Sequence, residues 1–115
     1  MTPEALGAVL PRCWSAETSS GWRPDDPARG QCDVTALVVQ ALLGGEILKT
    51  PLHEGWHFYN RIAGIRHDLT AGQFATPPDY QDLPSSRAQV LASVQPEQLR
   101  ILTERVSAAL EAARG

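Results

Sequence analysis

The amino-acid sequence predicts an α+β domain in which a central buried helix carries a cysteine at its N-terminus and packs on a small antiparallel sheet. Three patterns support this fold class: an almost unbroken apolar run at 33–43, alternating apolar and polar residues within 46–70, and a 3.6-residue apolar period at 96–115. A chain of 115 residues without repeats is long enough to bury one core. We therefore expect a single domain over residues 1–115.

The chain is predicted to begin with a short helix at residues 3–10, with Pro3 in its first turn and Pro11 interrupting it. Residues 15–30 then combine prolines and glycines with Ser, Thr and Asp side chains, a composition that favours turns. Irregular segments of this length in a small domain are often functional, so we expect this loop to form a wall of a site.

The central helix is predicted from about residue 33 to Leu43, because the glycines at 44–45 tolerate the left-handed backbone of a helix C-terminus. Residues 46–50 then predict one strand, and residues 55–70 predict two strands joined by a turn near 63–65. This order places a helix directly before an antiparallel meander.

The last third of the chain is predicted to be helical after an irregular segment at 75–87. A short helix is expected within 86–94, and a longer one over 96–115, with Pro96 in its first turn. The charged residues of this last helix are expected to form a solvated face: Glu97, Arg100, Glu104 and Arg105.

Composition and charge narrow the classes of partner. A net charge of −3 provides no broad positive field for a polyanion, so we expect no nucleic-acid ligand. The two cysteines are too few for a disulfide framework and are interpreted as thiols. The longest apolar run, residues 36–43, is far shorter than the roughly 20 residues that span a bilayer, and the N-terminus lacks the basic flank of a secretory signal. We expect a cytoplasmic protein without a membrane partner or a cofactor.

Cys32 lies where the turn-rich loop gives way to the apolar run, a position that predicts the first turn of the central helix. Unpaired backbone N–H groups and the positive end of the helix dipole stabilise a thiolate at such a position. Gly30 lets the backbone turn sharply before the thiol, and the amide of Gln31 is a candidate donor to an oxyanion. The alternative is a buried cysteine without a chemical role.

A thiol nucleophile needs a base, and the chain has three histidines, His53, His57 and His67. With a two-residue hairpin turn, Asp68 shares a face of the sheet with His57 and lies within reach of its ring. A three-residue turn would offer His67 to that face instead. Cys32, His57 and Asp68 are therefore predicted to be the nucleophile, the base and the orienting acid of a catalytic triad.

Further residues are candidates for the substrate or oxyanion part of the site, beside Gln31. They are Trp14, Thr18, Ser19, Trp22 and Gln73. The two tryptophans are interpreted first as packing residues, and the polar side chains as groups that orient backbone or substrate. Asn60 is expected to face away from His57 and lies outside the predicted triad.

Five stretches of the sequence resemble the YunG-like family of small bacterial proteins. They are "WSAETSSGW" at 14–22, "DPARGQCDVTAL" at 26–37, "GGEILKT" at 44–50, "HFYNRI" at 57–62 and "DLTAGQF" at 68–74. Together they cover most of residues 14–91, with Asp26 where the family pattern has asparagine. The resemblance implies no particular activity. At a looser level, the order Cys, His, Asp on a helix and following strands is similar to papain-like enzymes, including the NlpC/P60 peptidases and the transglutaminase-like enzymes.

We therefore expect a papain-like cysteine enzyme that acts on an amide or acyl bond of a small molecule or peptide, as a hydrolase, deamidase or acyl transferase.

One alternative is a non-catalytic ligand- or protein-binding module of the same fold. Another is a metal site that uses Cys32, His57, Asp68 and His53, although the strand-like alternation around Gly55 speaks against a zinc-binding helix there.

Overall fold

The computed structural model describes residues 1–114, which contain four α-helices, four β-strands and short 3₁₀ turns at Leu10–Arg12 and Ala71–Gln73. The helices are α1 (Pro3–Val9), α2 (Cys32–Leu43), α3 (Arg87–Leu91) and α4 (Pro96–Arg114). The strands are β1 (Glu46–Leu52), β2 (Gly55–Ile62), β3 (Ile65–His67) and β4 (Leu83–Pro84). They form one antiparallel sheet in the order β3-β2-β1-β4, and the predicted α+β class is confirmed.

Helix α2 occupies the centre of the molecule. Its residues 34–39 are all buried, because the helix packs against β2 as well as α1, α3 and α4. Asn60 on β2 is buried too, and its side-chain amide donates a hydrogen bond to the carbonyl of Ala36, 3.1 Å away. Asn60 thus faces α2. The helix has 12 residues, and nowhere in residues 1–114 does a helix reach the length and apolarity needed to cross a membrane.

The hairpin between β2 and β3 closes with a two-residue turn. Its central residues, Ala63 and Gly64, have φ angles of 51° and 80°. Positive φ at both positions matches the right-handed twist of the flanking strands. In the resulting register Asn60 pairs with His67, so the next residue, Asp68, comes onto the face of the sheet that carries the predicted base.

Strand β1 is longer than predicted, because it continues through Pro51 to Leu52. Proline lacks the N–H that a central strand donates. Among the described residues, however, β4 pairs with β1 only at Leu48 and Lys49, so the backbone of Pro51 has no strand neighbour on that side.

The two-residue β4 and the 3₁₀ turn at Ala71–Gln73 are too short to leave a periodic pattern in the sequence.

Arg105 on α4 does not belong to the solvated face that the sequence predicts. Its guanidinium donates to the carbonyl of Cys13 at 3.2 Å and to the hydroxyl of Ser15 at 2.7 Å, and it forms an ion pair with Glu17. The prediction is wrong for this residue because the loop after α1 folds back onto α4. The other charged residues of that face are exposed and pair with one another: Glu97, Arg100 and Glu104.

Gly45 is expected to be more sensitive to substitution than the turn residue Gly64. Both have positive φ, but a Cβ at Gly45 would lie 2.3 Å from the carbonyl oxygen of Arg61, whereas a Cβ at Gly64 would meet no atom within 4 Å. Gly64→Ala should cost about 1 kcal/mol of unfolding free energy for the left-handed backbone, and Gly45→Ala about 2 kcal/mol more. Urea unfolding measures both, and equal losses would contradict the close approach of the two backbones.

Candidate active site

Cys32 is the first residue of α2, and the side chain of the N-cap residue binds no N–H of this helix, although the carboxylate of Asp33 in the first turn accepts the N–H of Val34 at 2.8 Å. Gln31 is the N-cap residue, and its carbonyl accepts the first helical hydrogen bond, from the N–H of Thr35 at 3.0 Å. The N–H of Cys32 belongs to the first turn, where backbone N–H groups have no acceptor within the helix. The thiol is half-buried and lines a cavity. A sulfur atom, backbone donors and the positive end of a helix dipole therefore meet at one surface.

His57 lies on β2 and is 1% exposed. Its Nε2 atom is 2.7 Å from Oδ2 of Asp68, the residue that follows β3. The side chain of Asp68 is 5% exposed, so the two groups form a buried ion pair when the imidazole is protonated. Phe74 packs edge-on against the imidazole, with 4.8 Å between the ring centroids. The two-residue hairpin turn thus brings together the histidine and the aspartate.

Cys32 is the second group that acts on the imidazole of His57. Asp68 binds Nε2, so Nδ1 is the ring nitrogen that this contact leaves for an interaction with Cys32. Burial by itself lowers the pKa of His57, but the hydrogen bond to Asp68 and the interaction with Cys32 outweigh burial and raise this pKa to about 9. His57 is therefore an imidazolium at neutral pH, and it lines the same cavity as the thiol.

Asp68 is held through both of its carboxylate oxygens. Oδ2 accepts hydrogen bonds from His57 and from the hydroxyl of Tyr80, each at 2.7 Å, and Oδ1 accepts from the N–H and the hydroxyl of Thr70, each at 3.2 Å. Burial alone would raise the pKa of this carboxyl, but the hydrogen bond and the charge of His57, with Tyr80 and Thr70, lower it further than burial raises it. The carboxylate stays ionised at neutral pH although it is buried.

Three neighbours of the ion pair are missing from the sequence prediction: Tyr80, Thr70 and Phe74. Thr70 carries a recognisable signal, because an aspartate commonly accepts the N–H and hydroxyl of the residue two positions later. Tyr80 lies 12 residues after Asp68 in an irregular segment, and no periodic pattern relates the two residues. Phe74 reaches the imidazole because the 3₁₀ turn at Ala71–Gln73 redirects the chain.

Cys32 and His57 both line an open cavity of about 400 Å³. Trp56, which is 46% exposed, and Phe74 form apolar parts of its wall. Charged side chains of both signs complete it: Asp26, Arg29 and Glu54. A cavity of this size lies within the range that binds small molecules.

Gln31 does not take the predicted position at an oxyanion. Its side chain is fully buried, its Oε1 accepts a hydrogen bond from the hydroxyl of Thr18 at 2.8 Å, and its Nε2 donates to the carbonyl of Ser15 at 3.4 Å. Thr18 is equally buried, and neither residue lines the cavity. Both residues instead fasten the loop to the start of α2, because a buried amide and a buried hydroxyl require partners.

The remaining candidate residues divide between the core and the cavity. Trp14 is a core residue, 6% exposed, and its Nε1 donates to a threonine hydroxyl of α2 at 2.9 Å. Trp22 packs against the core, and the hydroxyl of Ser19 accepts a backbone N–H of its own loop, so neither residue lines the cavity. Gln73 does line it, and its amide nitrogen donates to the carbonyl and the hydroxyl of Thr70.

Within the described residues no group of three or more His, Cys, Asp or Glu side chains is arranged to hold a metal ion. His53 lies in the exposed turn between β1 and β2. His67 pairs with Asn60 and so lies on the face of the sheet opposite His57. The metal hypothesis therefore finds no set of ligands in this part of the chain.

Comparison with known proteins relates nearly the whole chain to one family. The family described as "YunG protein" matches residues 2–111. A protein of Bacillus subtilis (strain 168), described as "Uncharacterized protein YunG", is 46% identical over 104 residues, which are 90% of this chain and 90% of that protein. No solved structure matches the chain. The family match includes every residue of the candidate site.

Asp68→Asn is expected to destabilise the protein most at mildly acidic pH, between the ordinary pKa values of aspartate (3.8) and histidine (6.5). The pKa of His57 is raised to about 9. The ion pair therefore stabilises the folded state fully at a pH below the ordinary histidine pKa of 6.5, and this stabilisation is lost as the pH rises through about 9. The lowered pKa of Asp68 sets the acid limit. The stabilisation is complete above the ordinary value of 3.8 and is lost as the pH falls through the lower value of the folded state.

Urea unfolding near pH 6 and near pH 10 measures how the loss of unfolding free energy in Asp68→Asn depends on pH. At the lower pH the substitution should cost on the order of 3 kcal/mol, because it leaves a buried imidazolium without its carboxylate. At the higher pH the cost should shrink, since His57 is then neutral in both proteins. Equal costs at the two pH values would be incompatible with a raised pKa for His57.

Proposed function

We propose that this chain, which belongs to the YunG family, is a cysteine-dependent enzyme that acts on an amide or related acyl bond as a hydrolase, deamidase or acyl transferase. Cys32 is the nucleophile, His57 is the general acid and base, and Asp68 orients the imidazole. One observation carries this proposal. Cys32 and His57 line the same open cavity, and Nε2 of His57 is bound to the buried carboxylate of Asp68.

A purely structural role accounts less well for the same residues. A buried ion pair contributes little net stability compared with apolar side chains of similar volume. Here the pair adjoins a half-buried thiol at a helix N-terminus, and the imidazole carries its positive charge at neutral pH. A positive charge and a helix N-terminus both favour the thiolate, which is the nucleophilic form of cysteine.

In the proposed reaction the Cys32 thiolate attacks the carbonyl carbon, a C–S bond forms, and the carbonyl π electrons move to oxygen. Nδ1 of His57 then gives a proton to the leaving amine or alcohol, and the C–N or C–O bond breaks to leave a thioester. Neutral His57 next takes a proton from water or a second nucleophile. That nucleophile forms a bond to the thioester carbon, the C–S bond breaks with its electron pair returning to sulfur, and the acyl product leaves, which regenerates the thiolate and the imidazolium.

The oxyanion in this scheme is stabilised by the N–H of Cys32 and by the positive end of α2. Gln31 is not assigned to this task, because its amide is engaged with the loop. Gln73 lines the cavity with its amide nitrogen bound to Thr70, which leaves its side-chain oxygen to accept a hydrogen bond from a substrate N–H.

The proposed architecture is papain-like, with a cysteine at the start of a buried helix and a histidine and an acid on the antiparallel strands that follow. The support for this assignment is the chain order Cys, His, Asp and the packing of α2 against β2.

A small-molecule amide or a side chain of a peptide fits a cavity of about 400 Å³. The reaction needs a reduced thiol, which favours a cytoplasmic location.

Cys32 is expected to react with iodoacetamide much faster than Cys13. Cys13 is 2% exposed and burial raises the pKa of its thiol, whereas Cys32 lines the cavity beside an imidazolium. Mass spectrometry of the digested protein identifies the labelled residue. Cys13→Ala is the matched control and should label like the unsubstituted protein, while Cys32→Ala should not label. Labelling mainly at Cys13 would refute the assignment of the nucleophile.

An activated ester tests the acyl-transfer step directly. With p-nitrophenyl acetate the protein should release p-nitrophenol in a burst and carry one acetyl group on Cys32. Cys32→Ala should abolish the burst, and His57→Gln should slow it by about 10²- to 10⁴-fold, the range for a lost general base. Asp68→Asn should slow it by up to about 10⁴-fold, because the imidazole then adopts the wrong tautomer.

Two results would refute the proposed triad: a burst of p-nitrophenol that persists in Cys32→Ala, or a burst rate that is unchanged in His57→Gln. A Cys32 thiol of ordinary reactivity, whose labelling rate is the same in His57→Gln, would favour the non-catalytic binding module instead. Circular dichroism of each variant serves as the folding control, because His57 and Asp68 are buried.

A further inference from the structure

We propose that Tyr80 is a positioning residue of this site, whose hydroxyl fixes the carboxylate oxygen through which Asp68 orients His57. The importance of this role for catalysis rests on the proposed function, whereas the contacts of Tyr80 do not depend on that proposal. Tyr80 lies in the irregular segment between the 3₁₀ turn at Ala71–Gln73 and β4, where no sequence pattern marks it.

The hydroxyl of Tyr80 and Nε2 of His57 bind the same atom. Each lies 2.7 Å from Oδ2 of Asp68, whereas both donors of Thr70 bind Oδ1. Thr70 is two residues from Asp68, so its contacts move with the aspartate and do not fix the carboxylate relative to β2. Tyr80 comes from a distant segment, and its hydrogen bond therefore ties Oδ2 to a second part of the fold.

The ring of Tyr80 is itself held in place. It packs edge-on against Tyr59, with 4.9 Å between the ring centroids, and the guanidinium of Arg66 lies 4.5 Å from the ring centre. Burial, together with the hydrogen bond and the charge of Asp68, raises the pKa of Tyr80 well above its ordinary value. The hydroxyl therefore keeps its proton and remains a donor to the carboxylate.

The residues on both sides of Tyr80 are anchored to the sheet. The hydroxyl of Thr50 on β1 donates to the carbonyl of Asp79 at 3.1 Å and accepts from the N–H of Gln81 at 3.0 Å. Asp82 accepts two hydrogen bonds, at 2.8 and 2.7 Å, from an arginine of β3. These contacts leave the Tyr80 hydroxyl little freedom, which a residue that positions another group requires.

Without the hydroxyl, Oδ2 of Asp68 keeps only its bond to His57, and the bonds from Thr70 restrain Oδ1 alone, so the carboxylate is positioned less firmly while the imidazole stays buried. Burial lowers the pKa of His57, and a misaligned carboxylate offsets burial less well. The neutral imidazole also loses its preference for a proton on Nε2, the tautomer that leaves Nδ1 free to accept a proton. Loss of positioning thus has two signatures at His57, a lower pKa and a mixed tautomer.

The test compares Tyr80→Phe with the matched control Tyr59→Phe by nitrogen NMR of the histidine rings, in which His57→Gln identifies the His57 signals. Both phenylalanine variants remove a hydroxyl from the same cluster, but the hydroxyl of Tyr59 binds Asp82. In Tyr80→Phe the titration midpoint of His57 should fall by about one pH unit, the equivalent of one hydrogen bond to a charged group. Above this midpoint both tautomers of the neutral ring should be populated. Tyr59→Phe should leave the midpoint and the tautomer unchanged.

An unchanged midpoint and tautomer in Tyr80→Phe would overturn the proposal. Equal changes in both variants would overturn it too, because they would show that the whole cluster loosens when either hydroxyl is lost. Urea unfolding confirms that both proteins are folded under the NMR conditions. The NMR signals of His57 report on positioning whether or not Cys32 accepts an acetyl group, so failure of the proposed function is recognised separately, by the absence of that acetyl group.

Discussion

The buried ion pair between His57 and Asp68 is the interaction on which the rest of the site depends. An isolated buried charge costs several kcal/mol, and a buried pair offsets that cost only when its geometry is good and its remaining lone pairs are bound. The chain meets this requirement from two places, with Thr70 close in sequence and Tyr80 remote from it. The packing around the carboxylate therefore decides the charge that the histidine presents to the cavity.

A separate set of contacts positions the thiol. Gly30 has a φ of 76°, and a Cβ there would lie 2.7 Å from Oγ of Ser19, so glycine allows the loop to close against the residues before α2. Arg105 on α4 and the buried amide of Gln31 both bind the beginning of this loop. The sheet positions the imidazole, and the loop with α4 positions the sulfur. The two sets of contacts meet at the cavity because α2 packs on the sheet.

Much of the fold was predictable because its signals are local. The apolar run of α2, the 3.6-residue period of α4 and the alternation along β2 each depend on residues within one element. Predictions failed where a distant partner decides the outcome. Arg105 binds Ser15 across 90 residues and Gln31 binds Thr18 across 13, so neither contact leaves a periodic trace. Pro51 continues β1 because of where the neighbouring strand ends, which its own sequence does not record.

The sequence by itself determined the candidate residues of the site, because a thiol before an apolar helix and a histidine on an alternating strand are local patterns. It left open whether Asp68 or His67 would face His57, since a change of one residue in turn length reverses the face of every following side chain. Only the tertiary structure decided that choice, the partners of Gln31, and the second donor to the carboxylate from Tyr80. These features depend on burial and on contacts between remote segments, and both arise only when α2, the sheet and the loops pack together.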